Sequence, residues 1–271
     1  MTLPLAGLMT SCLSEEHEFG LPTKQDEGKG TLVLNLNANA EFSSTTRAVT
    51  EENYKNVANY TVEITDKDGK IYTCTGAEAS TWQKKLPIGI CSVKAYYGEE
   101  AAASRDNFYM FGEKSVTIES DTKTSVQVDC YPTCAKLKVA FDGEMATYFD
   151  DYSVDFAGTA KLAGNKFSWA SADSEPYYVA INKGDAGEDV TYTINLTAKD
   201  EYVSVIGGSK DKKGTVTGTF KLKRQDFYTL KVKPSYIPPV GPDEGSISIE
   251  ITIDSTTEEH KVNLEVPVSW I

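Results

Sequence analysis

Short runs in which apolar and polar residues alternate fill the chain from residue 31 onward. A period of two is typical of strands with one buried face, because successive side chains of a strand point to opposite sides of its sheet. Thr, Val, Ile and Tyr, which favour strands, occupy many of these positions. The runs predict strands at 32–36, 60–64, 91–97, 126–130, 137–141, 152–156, 190–196, 228–232, 247–253 and 262–266.

Turn sequences such as Asp66-Lys-Asp-Gly69 separate the runs, and no stretch of helical length has a 3.6-residue period. Alternation, as opposed to a continuously apolar strand, indicates antiparallel sheets packed face to face. We therefore expect an all-β fold of two tandem antiparallel β-sandwich domains, residues 30–132 and 133–271. The boundary is placed at Pro132, which ends one strand just before another begins. A proline-rich segment, 233–242, predicts a long loop or a semi-rigid spacer before the last two strands.

The N-terminal residues are apolar and uncharged, and the stretch Leu8-Met-Thr-Ser-Cys12 resembles a bacterial lipobox. In such a motif a signal peptidase cuts before the cysteine, whose thiol then carries diacylglycerol. Residues 1–11 are too short for a whole secretory signal, so we expect part of a lipoprotein signal segment, with Cys12 as the site of lipid attachment. An ordinary apolar terminus with a chance cysteine is the alternative. Residues 12–29 are polar and acidic, which predicts a flexible tether.

The chain has 27 basic and 40 acidic residues, a formal net charge of −13. This charge repels phosphate backbones and argues against nucleic acid as a partner. The only two histidines, His17 and His260, lie at opposite ends of the sequence. Two histidines so widely separated argue against a histidine-based catalytic site and against a histidine-based metal site. We expect no enzyme activity, no metal and no cofactor.

Beyond Cys12 the cysteines are Cys74, Cys91, Cys130 and Cys134. Two of them lie on the apolar side of predicted strands, where a free thiol acts as a small hydrophobic group. We favour buried free thiols, and a Cys74–Cys91 disulfide is the alternative. The aromatic residues that could stack on sugars are Trp82, Trp169, Trp270 and Tyr96, although core packing is the commoner use of such side chains.

Three segments together resemble the fimbrillin-type surface lipoproteins of Bacteroidales. They are residues 30–36 (Gly-Thr-Leu-Val-Leu-Asn-Leu), residues 60–64 (Tyr-Thr-Val-Glu-Ile) and residues 86–96, a Leu-Pro-containing strand that ends in Tyr96. An acidic tether behind a lipidated cysteine also resembles the surface-export signal of these lipoproteins. The resemblance implies tandem transthyretin-like or immunoglobulin-like Greek-key sandwiches, lipid anchoring in the outer membrane at the cell surface, and a structural or adhesive role.

The resemblance further implies how such subunits assemble. A trypsin-like protease cuts after an arginine that follows the first strand, and a strand of another subunit fills the groove that opens. Here Arg47 matches that arginine, with Ala48 as the new N-terminus, and Leu32, Leu34 and Leu36 would leave the groove. An uncut Arg47 in a single lipoprotein is the alternative.

Two functions of different class therefore remain. The first is a fimbrial subunit, anchor or tip that contacts other subunits. The second is a glycan-binding surface lipoprotein of a polysaccharide-uptake system, which an exposed patch of aromatic residues beside Asp or Asn would favour.

Overall fold

The computed structural model describes residues 28–42, 49–182, 184, 186–202, 213–237, 246–255 and 259–264. The strands are β1 (Lys29–Ala38), β2 (Thr61–Thr65), β3 (Ile71–Thr75), β4 (Gln83–Pro87), β5 (Gly89–Gly98), β6 (Ala103–Ser104), β7 (Tyr109–Ile118), β8 (Lys123–Pro132), β9 (Cys134–Phe141), β10 (Phe149–Ala157), β11 (Phe167–Ala170), β12 (Tyr177–Ala180), β13 (Glu188–Ala198), β14 (Lys213–Leu222), β15 (Phe227–Ile237), β16 (Ser246–Ser255) and β17 (Glu259–Leu264). The predicted all-β fold class is confirmed.

Helices are short throughout the described residues. Two α-helices of a single turn, α1 (Gly76–Ala79) and α2 (Met145–Tyr148), join strands, together with 3-10 helices at Val49–Lys55, Val57–Asn59, Ala160–Leu162 and Asp200–Tyr202. None of the helices in these ranges has the length and apolar character needed to cross a membrane.

The strands form two units with the same topology. We call β1–β5, β7 and β8 the first unit, and β9–β15 the second unit. The first unit has strand order β3-β2-β5-β7-β8-β1-β4. The second unit contains a sheet β11-β10-β13-β14, while β15-β9-β12 form the centre of another sheet. Divided between β7 and β8, the first order gives β3-β2-β5-β7 and β8-β1-β4. These two parts match β11-β10-β13-β14 and β15-β9-β12 of the second unit, strand by strand in chain order. The fold is therefore a structural repeat.

The two sheets of the first unit meet at one crossing. Strands β7 and β8 pair there through Met110 with Pro132 and Phe111 with Tyr131. At Gly112 a Cβ atom would lie 2.4 Å from the carbonyl oxygen of Asp129, so only glycine lets the two backbones approach so closely.

Most strand pairs are antiparallel, but one pair in each unit is parallel. Strand β1 runs parallel to β8, and β9 runs parallel to β15. In both units the parallel pair joins the first strand to the last. The expectation of antiparallel sheets is therefore wrong for these two pairs, because alternation shows which face of a strand is buried but does not fix the direction of a particular neighbour.

Three strands lie outside this repeat. Strand β6, in the connection from β5 to β7, pairs with β12 of the second unit through Ser104 with Tyr178 and Ala103 with Val179. Strands β16 and β17 extend the sheet beyond β15. The first half of the chain therefore contributes a short edge strand to a sheet of the second half.

The buried residues form two hydrophobic clusters, one centred on the first unit and one on the second unit together with β16. The predicted alternation is seen directly in β13, where Val190, Tyr192, Ile194 and Leu196 are buried and the residues between them are not. The cluster of the first unit also includes Cys134 and Tyr178 from the second. The two cores therefore touch where the units meet.

The sequence predicted a loop or spacer over the whole proline-rich segment, but the first part of this segment belongs to a strand. Strand β15 continues to Ile237, and Pro234 pairs with Ile249 of β16. On its other side β15 pairs with β9 only as far as Val232. Pro234 therefore lies where one side of the strand has no ladder among the described residues, a position in which a proline is tolerated.

Candidate assembly groove around the first strand

Strand β1 lies inside its sheet between two neighbours. On one side, residues from Thr31 to Ala38 pair in parallel with β8, and on the other, residues from Lys29 to Val33 pair antiparallel with β4. The backbone of β1 thus completes two ladders at once.

The side chains of β1 follow the predicted alternation. Leu32 and Leu34 are 0% and 1% exposed, and Leu36 is partly buried against the same core. The structure therefore brings together the three leucines that the sequence assigned to the groove. Their burial shows that β1 is part of the core and not an accessory edge.

Strand β4 depends on β1 for its place in the sheet. Of the strands that the structure describes, β4 pairs with β1 alone. Its sequence, Gln-Lys-Lys-Leu-Pro, buries a single large apolar side chain, Leu86, at 0% exposure. Loss of β1 would therefore leave two strands, β4 and β8, without a partner on the groove side.

The chain stays attached to the core beyond the end of β1. The backbone N–H of Asn39 donates to the carbonyl of Cys130 at 2.9 Å, and Ala40 and Phe42 are buried. The sequence pattern predicted a strand only as far as residue 36, although the even-numbered position of Phe42 continues the alternation of Leu32, Leu34 and Leu36. This continued alternation is the sequence signal from which burial of Phe42 could have been predicted.

Phe42 packs into an aromatic cluster at the junction of the two units. Its ring lies edge-on to Phe108 with centroids 5.5 Å apart, and 5.6 Å from the ring of Tyr178. Tyr54 stacks on the same Phe108 at 3.8 Å. The segment that carries β1 therefore also contributes a ring to the contact between the units.

A buried ion pair lies beside this cluster. The Lys136 ammonium is 2.7 Å from a Glu51 carboxylate oxygen, with side chains 3% and 6% exposed. The Tyr178 hydroxyl donates to the same oxygen at 3.0 Å, and the Lys136 ammonium lies 5.1 Å from the centre of the Phe227 ring. Such a pair is stable only when both charges have partners, since each is removed from water.

The residues assigned to lipid attachment and cleavage, Cys12, Arg47 and Ala48, lie outside the described residues. The described residues nearest to the predicted cleavage position are Phe42 before it and Val49 after it. Lipid attachment at Cys12 and cleavage after Arg47 remain predictions.

Comparison with known proteins gives a family assignment. The sequence profile of the family described as "Domain of unknown function (DUF4493)" matches residues 28–268. The chain belongs to the DUF4493 family. No curated protein sequence matches it.

Solved structures similar to this DUF4493 chain include fimbrial proteins. A fimbrial assembly protein from Parabacteroides distasonis is 12% identical with a TM-score of 0.44, and the match covers 87% of this chain and 98% of that one. The fimbrial anchor protein Mfa2 from Porphyromonas gingivalis is 10% identical with a TM-score of 0.40, over 88% and 99% of the two chains.

The four cysteines after Cys12 in the DUF4493 chain are free and buried, as favoured from the sequence. Burial raises the pKa of the Cys91 thiol to about 11 and that of Cys130 to about 12. Thiols with such pKa values are almost entirely protonated at neutral pH and are poor nucleophiles. They act here as apolar core groups.

The tryptophans named as sugar-stacking candidates divide into two groups. Trp82 and Trp169 are buried, at 8% and 0% exposure, and Trp270 lies outside the described residues. Tyr96 lies on the outer face of β5, with its hydroxyl donating to Glu63 at 2.9 Å.

Among the described residues, no group of three or more His, Cys, Asp or Glu side chains could hold a metal ion.

Proposed function

We propose that this chain is a surface lipoprotein with a structural or adhesive role, acting as a fimbrial subunit, anchor or tip whose first strand is exchanged for a strand of another subunit. The observation that carries the proposal is the position of β1, which fills the space between β8 and β4 and buries Leu32 and Leu34. A strand from elsewhere could replace it, because backbone hydrogen bonds suit any sequence and only alternate side chains need pockets.

The energetics favour filling the groove once it is open. Without β1, the facing edges of β8 and β4 would present unpaired N–H and C=O groups. The pockets of Leu32 and Leu34 would lie open, and burial of each side chain contributes about 1.5–3 kcal/mol. The opened form would therefore bind a donor strand with alternating apolar residues.

In this proposal a trypsin-like protease cuts after Arg47 and makes Ala48 the new N-terminus. Such a cut would release β1 together with Ala40 and Phe42, which lie before it. Glu51, which lies after it, would keep its ion pair with Lys136. The groove would then extend from the leucine pockets to the Phe42 site at the junction of the units.

The proposal includes the anchoring and domain arrangement expected from the sequence. Residues 1–11 belong to a signal segment, lipid on Cys12 holds the uncut chain to the outer membrane, and residues 12–29 form the tether. Residues 30–132 and 133–271 are two sandwich domains. The role is structural and uses no catalytic residue and no cofactor.

Mass spectrometry of the mature protein from native cells tests cleavage and anchoring. We expect molecules that begin at Ala48, together with precursors whose Cys12 carries lipid. Intact lipid-linked Cys12 in every molecule would disprove assembly by strand exchange. Molecules that begin at Met1 without lipid would disprove the anchor.

A second experiment tests the groove itself. Residues 43–47 are replaced by the recognition sequence of a site-specific protease, and the chain is cut and mixed with a labelled peptide of residues 28–42. We expect the peptide to replace the cut strand slowly, while a control peptide with Leu32→Ser and Leu34→Ser does not bind. Equal incorporation of the two peptides would contradict the proposal.

The glycan-binding alternative depends on a different surface. The outer face of the sheet that contains β5, β7 and β8 carries aromatic side chains close to carboxylates. Glycan binding there would add to the adhesive role and would not need the groove.

A further inference from the structure

Four aromatic residues lie together on the water-facing side of the first unit. In the strand register, Tyr96 of β5 pairs with Phe111 of β7, and Phe111 pairs with Tyr131 of β8. Tyr109 lies two residues from Phe111 on the same face of β7. We call Tyr96, Tyr109, Phe111 and Tyr131 the aromatic row.

The rings lie side by side along this face. The centroids of Tyr109 and Phe111 are 6.2 Å apart with planes inclined at 23°, and those of Tyr96 and Tyr109 are 6.0 Å apart at 38°. Tyr131 is 40% exposed, and the other three rings are partly exposed. Three neighbouring rings are therefore partly open to solvent, and the strand register places the exposed Tyr131 beside Phe111.

The core does not account for the row. The inward side chains of the same strands, Ala95, Met110 and Cys130, already close the hydrophobic cluster. On the outward face of an antiparallel sheet, alternation normally places polar residues. Aromatic pairs across strands stabilise a sheet by about 0.2–1 kcal/mol each, and the partly exposed rings on three adjacent strands also leave an apolar surface that a ligand could cover.

Hydrogen-bonding groups flank the row. The Tyr96 hydroxyl donates to Glu63 at 2.9 Å. On β8, two residues from Tyr131, Asp129 accepts from Asn37 at 3.0 Å and from Gln127 at 2.9 Å. These hydrogen bonds lower the pKa of the Asp129 carboxyl, which is therefore a charged acceptor at neutral pH.

We propose that the aromatic row binds a neutral, extended chain of β-linked hexopyranose units. The apolar C–H faces of such sugars would lie on the rings, while their hydroxyls would bond to Glu63, Asp129 and the tyrosine hydroxyls. A tyrosine ring combines an apolar face with a polar hydroxyl, which matches the mixed apolar and hydroxyl surface of a sugar. The net charge of −13 disfavours a phosphorylated or sulfated ligand.

This inference gives a ligand class to the adhesive part of the proposed function, and it uses the outer face of the sheet and not the groove. Its test is made on the uncut chain. Failure to bind sugar would therefore leave strand exchange unaffected, and an uncut N-terminus in native cells would leave sugar binding unaffected.

Isothermal titration of the full chain with cellohexaose, mannohexaose and maltohexaose provides the test. We expect at least one of the two extended β-linked hexaoses to bind more tightly than maltohexaose, whose chain is helical. Tyr96→Ala and Tyr131→Ala should each weaken binding about tenfold, the effect of removing an interface hot spot. Ile90→Ala is the matched control, because Ile90 is 68% exposed on the outer face of β5, and binding should not change.

The result that would overturn the proposal is the absence of binding by every hexaose at millimolar concentration. Binding that survives the double variant Tyr96→Ala/Tyr131→Ala would also overturn it. If these variants fail to fold, nitration of tyrosines in the unaltered chain replaces them. The bound hexaose should then protect Tyr131 from nitration, and an equal extent of nitration with and without sugar would exclude this site.

Discussion

Glu51 and Lys136 are 85 positions apart in the sequence, yet their charged groups meet between the two units with almost no exposure to solvent. Removal of Lys136 would leave the buried Glu51 carboxylate without its cation, and this is far more costly than loss of a surface ion pair. The Tyr178 hydroxyl adds a hydrogen bond to the carboxylate. At the residue scale, this ion pair is therefore one of the contacts that join the units.

Lys136→Met should lower the free energy of unfolding by about 3–5 kcal/mol, because Glu51 would stay buried without its cation. The double variant Lys136→Met/Glu51→Gln should recover much of that loss, since glutamine is neutral and can still accept from Tyr178. Urea unfolding measures both values.

A matched control is the exposed pair formed by Lys221 and Asp189, whose charged atoms are 3.0 Å apart with side chains 56% and 69% exposed. Lys221→Met should change the free energy of unfolding by less than about 1 kcal/mol. Equal losses from Lys136→Met and Lys221→Met would contradict the assigned role of the buried pair.

At the scale of elements, the pairing of β4 with β1 makes one strand dependent on another. After removal of β1 from a chain cut before Val49, the amides of residues 83–86 should lose their protection from hydrogen exchange, because no other described strand pairs with β4. The amides of β2, which lies between β3 and β5, should stay protected. Addition of the 28–42 peptide should restore protection in β4.

Protection of β4 that persists without β1 and without the peptide would show that another segment holds this strand. In that case the groove would be narrower than the pairing of β1 indicates.

The elements also show where sequence patterns succeed and where they fail. Alternation predicted β1 with its three leucines, and β13 with its buried face, because each strand repeats an apolar position at every second residue. It did not predict β4, whose Gln-Lys-Lys start is polar although the strand lies in the sheet. Nor could it reveal the parallel direction of β1 and β8, or an ion pair that depends on the folded arrangement of distant residues.

At the scale of the whole molecule, the units are linked by more than the chain between β8 and β9. Strand β6 joins the sheet of the second unit, and the hydrophobic cluster of the first unit includes Tyr178 and Cys134. The first half of the chain thus adds a strand to a sheet of the second unit, and the second unit adds side chains to the core of the first.

A fragment of residues 28–132 should therefore unfold at a lower temperature than the same residues do within the full chain. It would lose Tyr178 and Cys134 from its core and leave Glu51 without Lys136. Thermal unfolding followed by circular dichroism compares the two. An identical midpoint for the fragment would show that the contacts between the units add no stability.

The parallel pairing of β1 with β8 has a mechanical consequence. If the uncut chain is pulled between Gly28 and the connection that leaves β8 at Pro132, the force acts along both strands in opposite directions. The eight residue pairs of that ladder would then be loaded in shear, and would have to break together instead of one after another. The parallel pair of β9 and β15 repeats this geometry in the second unit, so that both units would resist tension along the chain.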